Sequence, residues 1–174
     1  MGAARPFAPA ATAMNLVSRL LPREHVVLGL DATSKKRLFE QIGLLFENSR
    51  QIPRARVFDS LFDREKLGST ALGYGVAIPH GRVKGLKEPV CAFVRTATPI
   101  PFEAPDGEPV SLVFAMLVPE HANETHLELL SELAQMFSDA HLREALAATD
   151  DPQAAHRLIT EWSPYAPAQR TAAL

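Results

Sequence analysis

The sequence predicts a single α/β domain, a small β-sheet with helices on its faces, and three observations carry that prediction. The chain has 174 residues, enough for one domain with a real core. Short apolar runs such as "EHVVLGL", "VAIPH", "PVCAFVRTA" and "PVSLVFAMLVP" read as strands. Longer segments before and after them repeat leucine and phenylalanine at helical spacing. Interleaved strands and helices give the class; they leave strand pairing open.

Taken in order, "MGAARPFAPAATA" is alanine-rich and broken by Pro6 and Pro9, which rules out the unbroken apolar stretch of a signal peptide. Residues 1–13 are expected to be a disordered extension, with Met14 opening the folded chain or translation itself. "EHVVLGL" is the first strand. "DATSKKRLFEQIGLLFENSR" sets Leu38, Ile42 and Leu45 on one helical face, with Asp31 or Thr33 as N-cap. Pro53 opens a second helix carrying Val57, Phe58, Leu61 and Phe62, and Gly68 stands where a C′ glycine ends it. Arg64 therefore falls in its last turn. "VAIPH" is a short strand stopped by Pro79, which has no N–H for a ladder.

"PVCAFVRTA" follows, then the turn "EAPDGEP", then "PVSLVFAMLVP", whose near-total lack of polar residues marks a central strand covered on both faces. "ANETHLELLSELAQMF" is a helix with Leu127, Leu130, Ala134 and Phe137 as its apolar stripe and Asn123 as N-cap. Two shorter helices come next, each opened by an aspartate. The folded domain is expected to span residues 14–163, with 164–174 a flexible tail.

Composition excludes several classes of function. Formal net charge is −2, with 18 basic residues scattered among 20 acidic ones, so no basic stripe invites nucleic acid. No apolar run is long enough to cross a membrane. The single cysteine, Cys91, precludes a disulfide within the chain, suits a reducing cytoplasm, and reads as a small buried hydrophobe.

The chemistry centres on His80. Proline fixes its own φ and drives Ile78 into extended backbone, so "VAIPHG" delivers an imidazole with little local freedom. Gly81 leaves room for another molecule beside the ring. An imidazole with a pKa of about 6.5 is mostly neutral at pH 7, as a nucleophile requires. A lone histidine at a strand end is more often structural, and two further features shift that balance. Arg64 ends the helix that leads through "EKLGSTALGYG" to His80, although an arginine there also suits the helix dipole. His126 falls in the first turn of its helix, where free N–H groups and partial positive charge favour an anion. The glycine-rich loop, Gly68, Ser69, Thr70, Gly73, Tyr74 and Gly75, offers backbone N–H groups to a phosphate or a docking partner. It is not a dinucleotide fingerprint, because Ile78 occupies the third glycine position. His25, His121, His141 and His156 are expected to face solvent. No familiar ligand spacing surrounds His121 and His126, so no metal and no cofactor is expected.

"EKLGSTALGYGVAIPHG" resembles the active-site signature of enzyme IIA proteins of the fructose/mannitol type in the bacterial phosphoenolpyruvate phosphotransferase system. Glu65, a six-residue gap, Leu72, Gly73 and "VAIPHG" fill its positions. "TSKKRLFEQIGLLF" and "FAMLVPEHANETHLELLSELA" look most like the nitrogen-regulatory branch, and the similarity runs from about Met14 to about Trp162. The resemblance implies a mixed sheet flanked by helices. It also implies that His80 accepts a phosphoryl group from a phosphohistidine on an HPr-like carrier, with Arg64 and His126 assisting. Downstream it implies regulatory partner proteins, or alternatively a sugar-transport IIB protein. Leu72 and Tyr74 would contribute to the rim on which the carrier docks.

Overall fold

Strand β6, Val110–Pro119, lies at the centre of the computed structural model, which describes residues 15–121, 124–165, 167, 168 and 170. Every residue from Leu112 to Val118 is buried, because helices cover both faces of the sheet. Its alternation divides the core. Leu112, Phe114, Met116 and Val118 point to one layer, and Val113, Ala115 and Leu117 to the other.

The sheet holds β1 (Val26–Leu30), β2 (Ala71–Gly73), β3 (Val76–Ala77), β4 (His80–Val83), β5 (Val90–Ile100) and β6. The order is β1-β5-β6-β3-β2, with β4 also paired to β6. β1 runs parallel to β5, β5 antiparallel to β6, and β3 and β4 parallel to β6, so the sheet is mixed. Helices α1 (Lys35–Arg50) and α2 (Arg54–Lys66) cover one face through Phe39, Phe46, Val57 and Leu61. Helices α3 (Glu124–Phe137), α4 (Ala140–Ala148) and α5 (Pro152–Thr160) cover the other through Leu133, Phe137, Leu146 and Ile159. Asp139 and Asp151 cap α4 and α5 through their carboxylates, and Pro53 precedes α2 as expected.

Several expectations change. The N-cap of α1 is Ser34, not Asp31 or Thr33; its hydroxyl accepts from the Arg37 N–H at 3.0 Å, the geometry one helical turn requires. Pro79 does not end a strand at His80. It splits one parallel run along β6 into β3 and β4, so His80 opens a strand. The buried stripe of α3 is Leu129, Leu133, Met136 and Phe137, while Leu127 is 64% exposed and Ala134 also faces out. His25 is buried, not solvent-facing: its Nδ1–H donates to the Cys91 carbonyl at 2.8 Å and its ring meets Phe46 edge-on. His156 is half-buried against the Leu21 carbonyl, and His121 and His141 are exposed. Cys91 is fully buried, and burial pushes its thiol pKa up. Residues 1–13, Met14 and the Asn123 cap lie outside the described residues.

Candidate active site

Among the described residues β4 pairs with β6 alone, so it lies at an edge where helices from both layers meet. From one layer α2 packs directly on the strand. Gly81 faces it, and a Cβ there would lie 2.7 Å from the Ser60 carbonyl oxygen and overlap the Ser60 hydroxyl. The space beside Gly81, expected to admit another molecule, is thus filled by α2. This close approach brings Ser60, Asp63, Arg64 and Leu67, spaced as one helical face, along the strand edge. From the opposite layer the first turn of α3 contributes His126. His80, Gly81 and Arg82 complete a cleft of about 460 Å³.

His80 is half-buried, and its Nδ1–H donates to the Ile78 carbonyl at 2.9 Å. A carbonyl can only accept, so the bond fixes the tautomer and leaves the lone pair on Nε2. Burial holds the His80 pKa below its ordinary value, opposed by the Ile78 bond and reinforced by Arg64 and Arg82. The nucleophilic form is therefore the resting one. His126 lies edge-on to it, with ring centroids 5.6 Å apart. Burial, then His80 and Arg82, lower its pKa too. Its Nδ1 is buried without a hydrogen-bond partner among the described residues, an unmet polar group of the kind that marks a binding position.

Arg64 donates to the Gly68 carbonyl at 2.8 Å, which ties the guanidinium to the glycine ending α2. Behind it the Glu65 carboxylate, 7% exposed, accepts from the Thr70 N–H at 3.0 Å, the Thr70 hydroxyl at 2.6 Å and Lys35 Nζ at 3.0 Å. Ser69 is tied to the Phe102 carbonyl at 2.6 Å. The predicted residues thus separate. His80, Arg64 and His126 converge on the cleft, whereas Ser69 and Thr70 brace the loop behind it. Gly73, Tyr74 and Gly75 are not among the residues lining the cleft. Tyr74 (φ 57°) and Gly75 (φ 80°) form the two-residue turn between β2 and β3, a backbone need that accounts for Gly75. The Tyr74 N–H is held by the Asp106 carboxylate at 2.8 Å and its ring packs under the Arg143 guanidinium. Arg82 and Asp63 are cleft residues that the sequence reading missed. Two-residue alternation from His80 points to Arg82 once "HGRV" is read as a strand. Among the described residues no three histidine, cysteine or carboxylate side chains gather as metal ligands, and no helix is long and apolar enough to cross a membrane.

A neutral imidazole held by one nitrogen, with its other nitrogen free beside guanidinium groups and a helix N-terminus, is equipped to take and stabilise a phosphoryl group. Residues 19–162 match the family described as "Phosphoenolpyruvate-dependent sugar phosphotransferase system, EIIA 2". The chain belongs to this EIIA family. Its relatives include a "Nitrogen regulatory protein" of Pseudomonas aeruginosa, 38% identical over 148 residues, covering 83% of this chain and 95% of that protein. The crystal structure of nitrogen regulatory protein IIA-Ntr from Neisseria meningitidis is 51% identical, with a TM-score of 0.80, covering 84% of this EIIA chain and all of that one. The Escherichia coli mannitol enzyme IIA, solved in complex with phosphorylated enzyme IIB, shares the fold at 22% identity and a TM-score of 0.68, covering 80% of this chain and 97% of that one. This EIIA chain is accordingly a phosphotransferase-system component of mixed α/β fold, as the motif implied.

Proposed function

We propose that His80 is the phosphoryl acceptor and that the protein is a phosphoryl carrier of the nitrogen-regulatory type, acting in the cytoplasm. The observation that carries this reading is the His80 Nδ1–H bond to the Ile78 carbonyl, which leaves Nε2 unprotonated beside Arg64 and His126. An HPr-like protein presents a phosphohistidine. The His80 Nε2 lone pair forms the new N–P bond as the donor N–P bond breaks, and the donor imidazole keeps the released electron pair. Both rings hold a proton on their other nitrogen, so no proton moves in the transfer. The Ile78 carbonyl stabilises the positive charge that the loaded His80 ring gains.

The transition state is loose, so positioning and charge supply most of the rate. Arg64 stabilises the equatorial oxygens, and His126 donates a ring N–H to one of them. Loading places a dianionic phosphoryl group beside the exposed Leu67, enough to change which partner this face binds. The relatives' nitrogen-regulatory names support partner control as the outcome. Delivery to a sugar-transport IIB protein would use the same three side chains.

The test is intact mass after incubation with phosphoenolpyruvate, enzyme I and an HPr-type carrier. One acid-labile, base-stable phosphoryl group on wild type and none on His80→Ala supports the reading. No added mass on wild type overturns it, and rapid loss of the group to an added IIB protein would move the assignment to sugar transport.

A further inference from the structure

The cleft contains a second guanidinium that the proposed reaction has not used. Arg82 lies two residues beyond His80 on β4, so both side chains leave the same face of the strand. It lines the cleft together with Arg64, one from the strand and one from α2. β4 runs parallel to β6 with Arg82 beside Val118, and the Arg82 side chain therefore reaches the chain just past the end of β6. There it donates to the Glu120 carbonyl at 2.8 Å. Glu120 and His121 begin the connection from β6 to α3, the helix that brings His126 to the site.

We propose that Arg82 is a further phosphoryl-binding residue, which exchanges the Glu120 carbonyl for a phosphoryl oxygen when His80 is loaded. The inference rests on the phosphohistidine reading above. A dianionic phosphoryl group is the stronger acceptor, because charge-assisted hydrogen bonds are about twice as strong as those to a neutral carbonyl. The same exchange tells the rest of the surface that His80 is loaded. The Glu120 carbonyl shares a peptide unit with the His121 N–H, so losing Arg82 alters that amide directly. The stretch at Glu120 and His121 becomes the part of the docking face that differs between loaded and free protein.

The experiment is single-turnover loading followed by intact mass, with amide ¹H–¹⁵N spectra before and after, on full-length wild type, Arg82→Gln and Arg82→Lys. Arg82 is exposed, so neither substitution threatens the core. Wild type is expected to load and to shift its His121 amide. Arg82→Gln should load about tenfold more slowly, and its His121 amide should already be displaced in the free state and respond little to loading. Arg82→Lys, which keeps the charge, should recover much of the rate. A wild-type rate in Arg82→Gln, or an unaltered His121 response there, overturns this inference while leaving His80 as acceptor. A wild type that takes no phosphoryl group overturns the phosphohistidine reading and this inference together.

Discussion

His126 meets His80 edge-on, ring centroids 5.6 Å apart and planes inclined at 66°, although the long strands β5 and β6 separate the two residues in the chain. His80 opens an edge strand and His126 sits in the first turn of the helix that follows the central strand. The pairing of β4 with β6 brings them together. His126 bears the cost of its position: Nδ1 is buried and unpaired among the described residues, the kind of unfavourable placement that function retains.

That cost makes a prediction with two arms. His126→Leu removes the unpaired nitrogen and fills similar volume, so the melting temperature should hold or rise. Phosphoryl loading should fall by about tenfold or more, since one donor to the phosphoryl oxygens is lost. Thermal unfolding and single-turnover loading measured on the same preparation check both arms. A clear drop in melting temperature would show that His126 is mainly a packing residue.

The second prediction concerns pH. Burial lowers the pKa of His25, His80 and His126 in the folded protein, while in the unfolded chain each sits near 6.5. Above about pH 7 the groups are neutral in both states and contribute no slope. As pH falls through about 6.5 the unfolded chain binds protons that the folded one does not, so stability falls with pH. Urea midpoints should therefore decline between about pH 7 and pH 5.5, and His80→Ala should flatten part of that decline. Loading, which uses neutral His80, should change little from about pH 7.5 to 6.5. A loading rate that already halves across that upper window would contradict a lowered His80 pKa.

Legibility in the sequence followed locality. Arg64 and Gly68 were legible because one helix end and one glycine fix them over a short stretch, whereas the proline–histidine step drew notice to His80 but put it at the end of a strand that it in fact opens. His126 was legible as a first-turn residue, but its approach to His80 depends on strand pairing that no local pattern encodes. β1 pairs with β5 more than sixty residues later, as Val26 beside Phe93 shows. Pro79 reads locally as a stop, yet the chain resumes along β6 one residue later, and the alternation that points to Arg82 belongs to that second strand. "LGYG" reads as a phosphate-binding loop on composition, yet its glycines serve a hairpin turn whose positive φ angles demand them. His25 shows the same limit, because nothing nearby in sequence announces the Cys91 carbonyl and Phe46 that bury it.

Glu65 supplies a third prediction. Its carboxylate is nearly inaccessible and is satisfied by the Thr70 N–H, the Thr70 hydroxyl and Lys35 Nζ. Glu65→Gln keeps the size but turns one oxygen into a donor facing a donor, and among the described residues it leaves Lys35 paired with the exposed Glu103 alone. A loss of about 1.5–3 kcal/mol in urea unfolding is expected. Loading should slow as well, because the loop fixed by Thr70 carries the Gly68 carbonyl that holds Arg64. An unchanged urea midpoint would mean that the buried carboxylate contributes nothing to holding the loop.

The last prediction tests how the cleft is assembled. Gly81 has no unusual φ; it is required because α2 lies against β4 with no room for a methyl group. The Ser60 hydroxyl is one obstacle, and the Ser60 backbone oxygen and carbon, 2.7 and 2.8 Å from the position a Cβ would take, are the other. Gly81→Ala should therefore push the helix away and cost about 1–3 kcal/mol. Removing the hydroxyl alone cannot restore the contact, so Ser60→Gly combined with Gly81→Ala should remain destabilised. Because Arg64 is one turn further along the same helix, both variants should also load more slowly than their loss of folded protein explains. Circular-dichroism unfolding gives the stability and single-turnover loading at a temperature well below both melting points gives the rate. Full rescue by Ser60→Gly would show that the side chain, not the helix backbone, sets the approach of α2 to β4, and that Arg64 is positioned independently of Gly81.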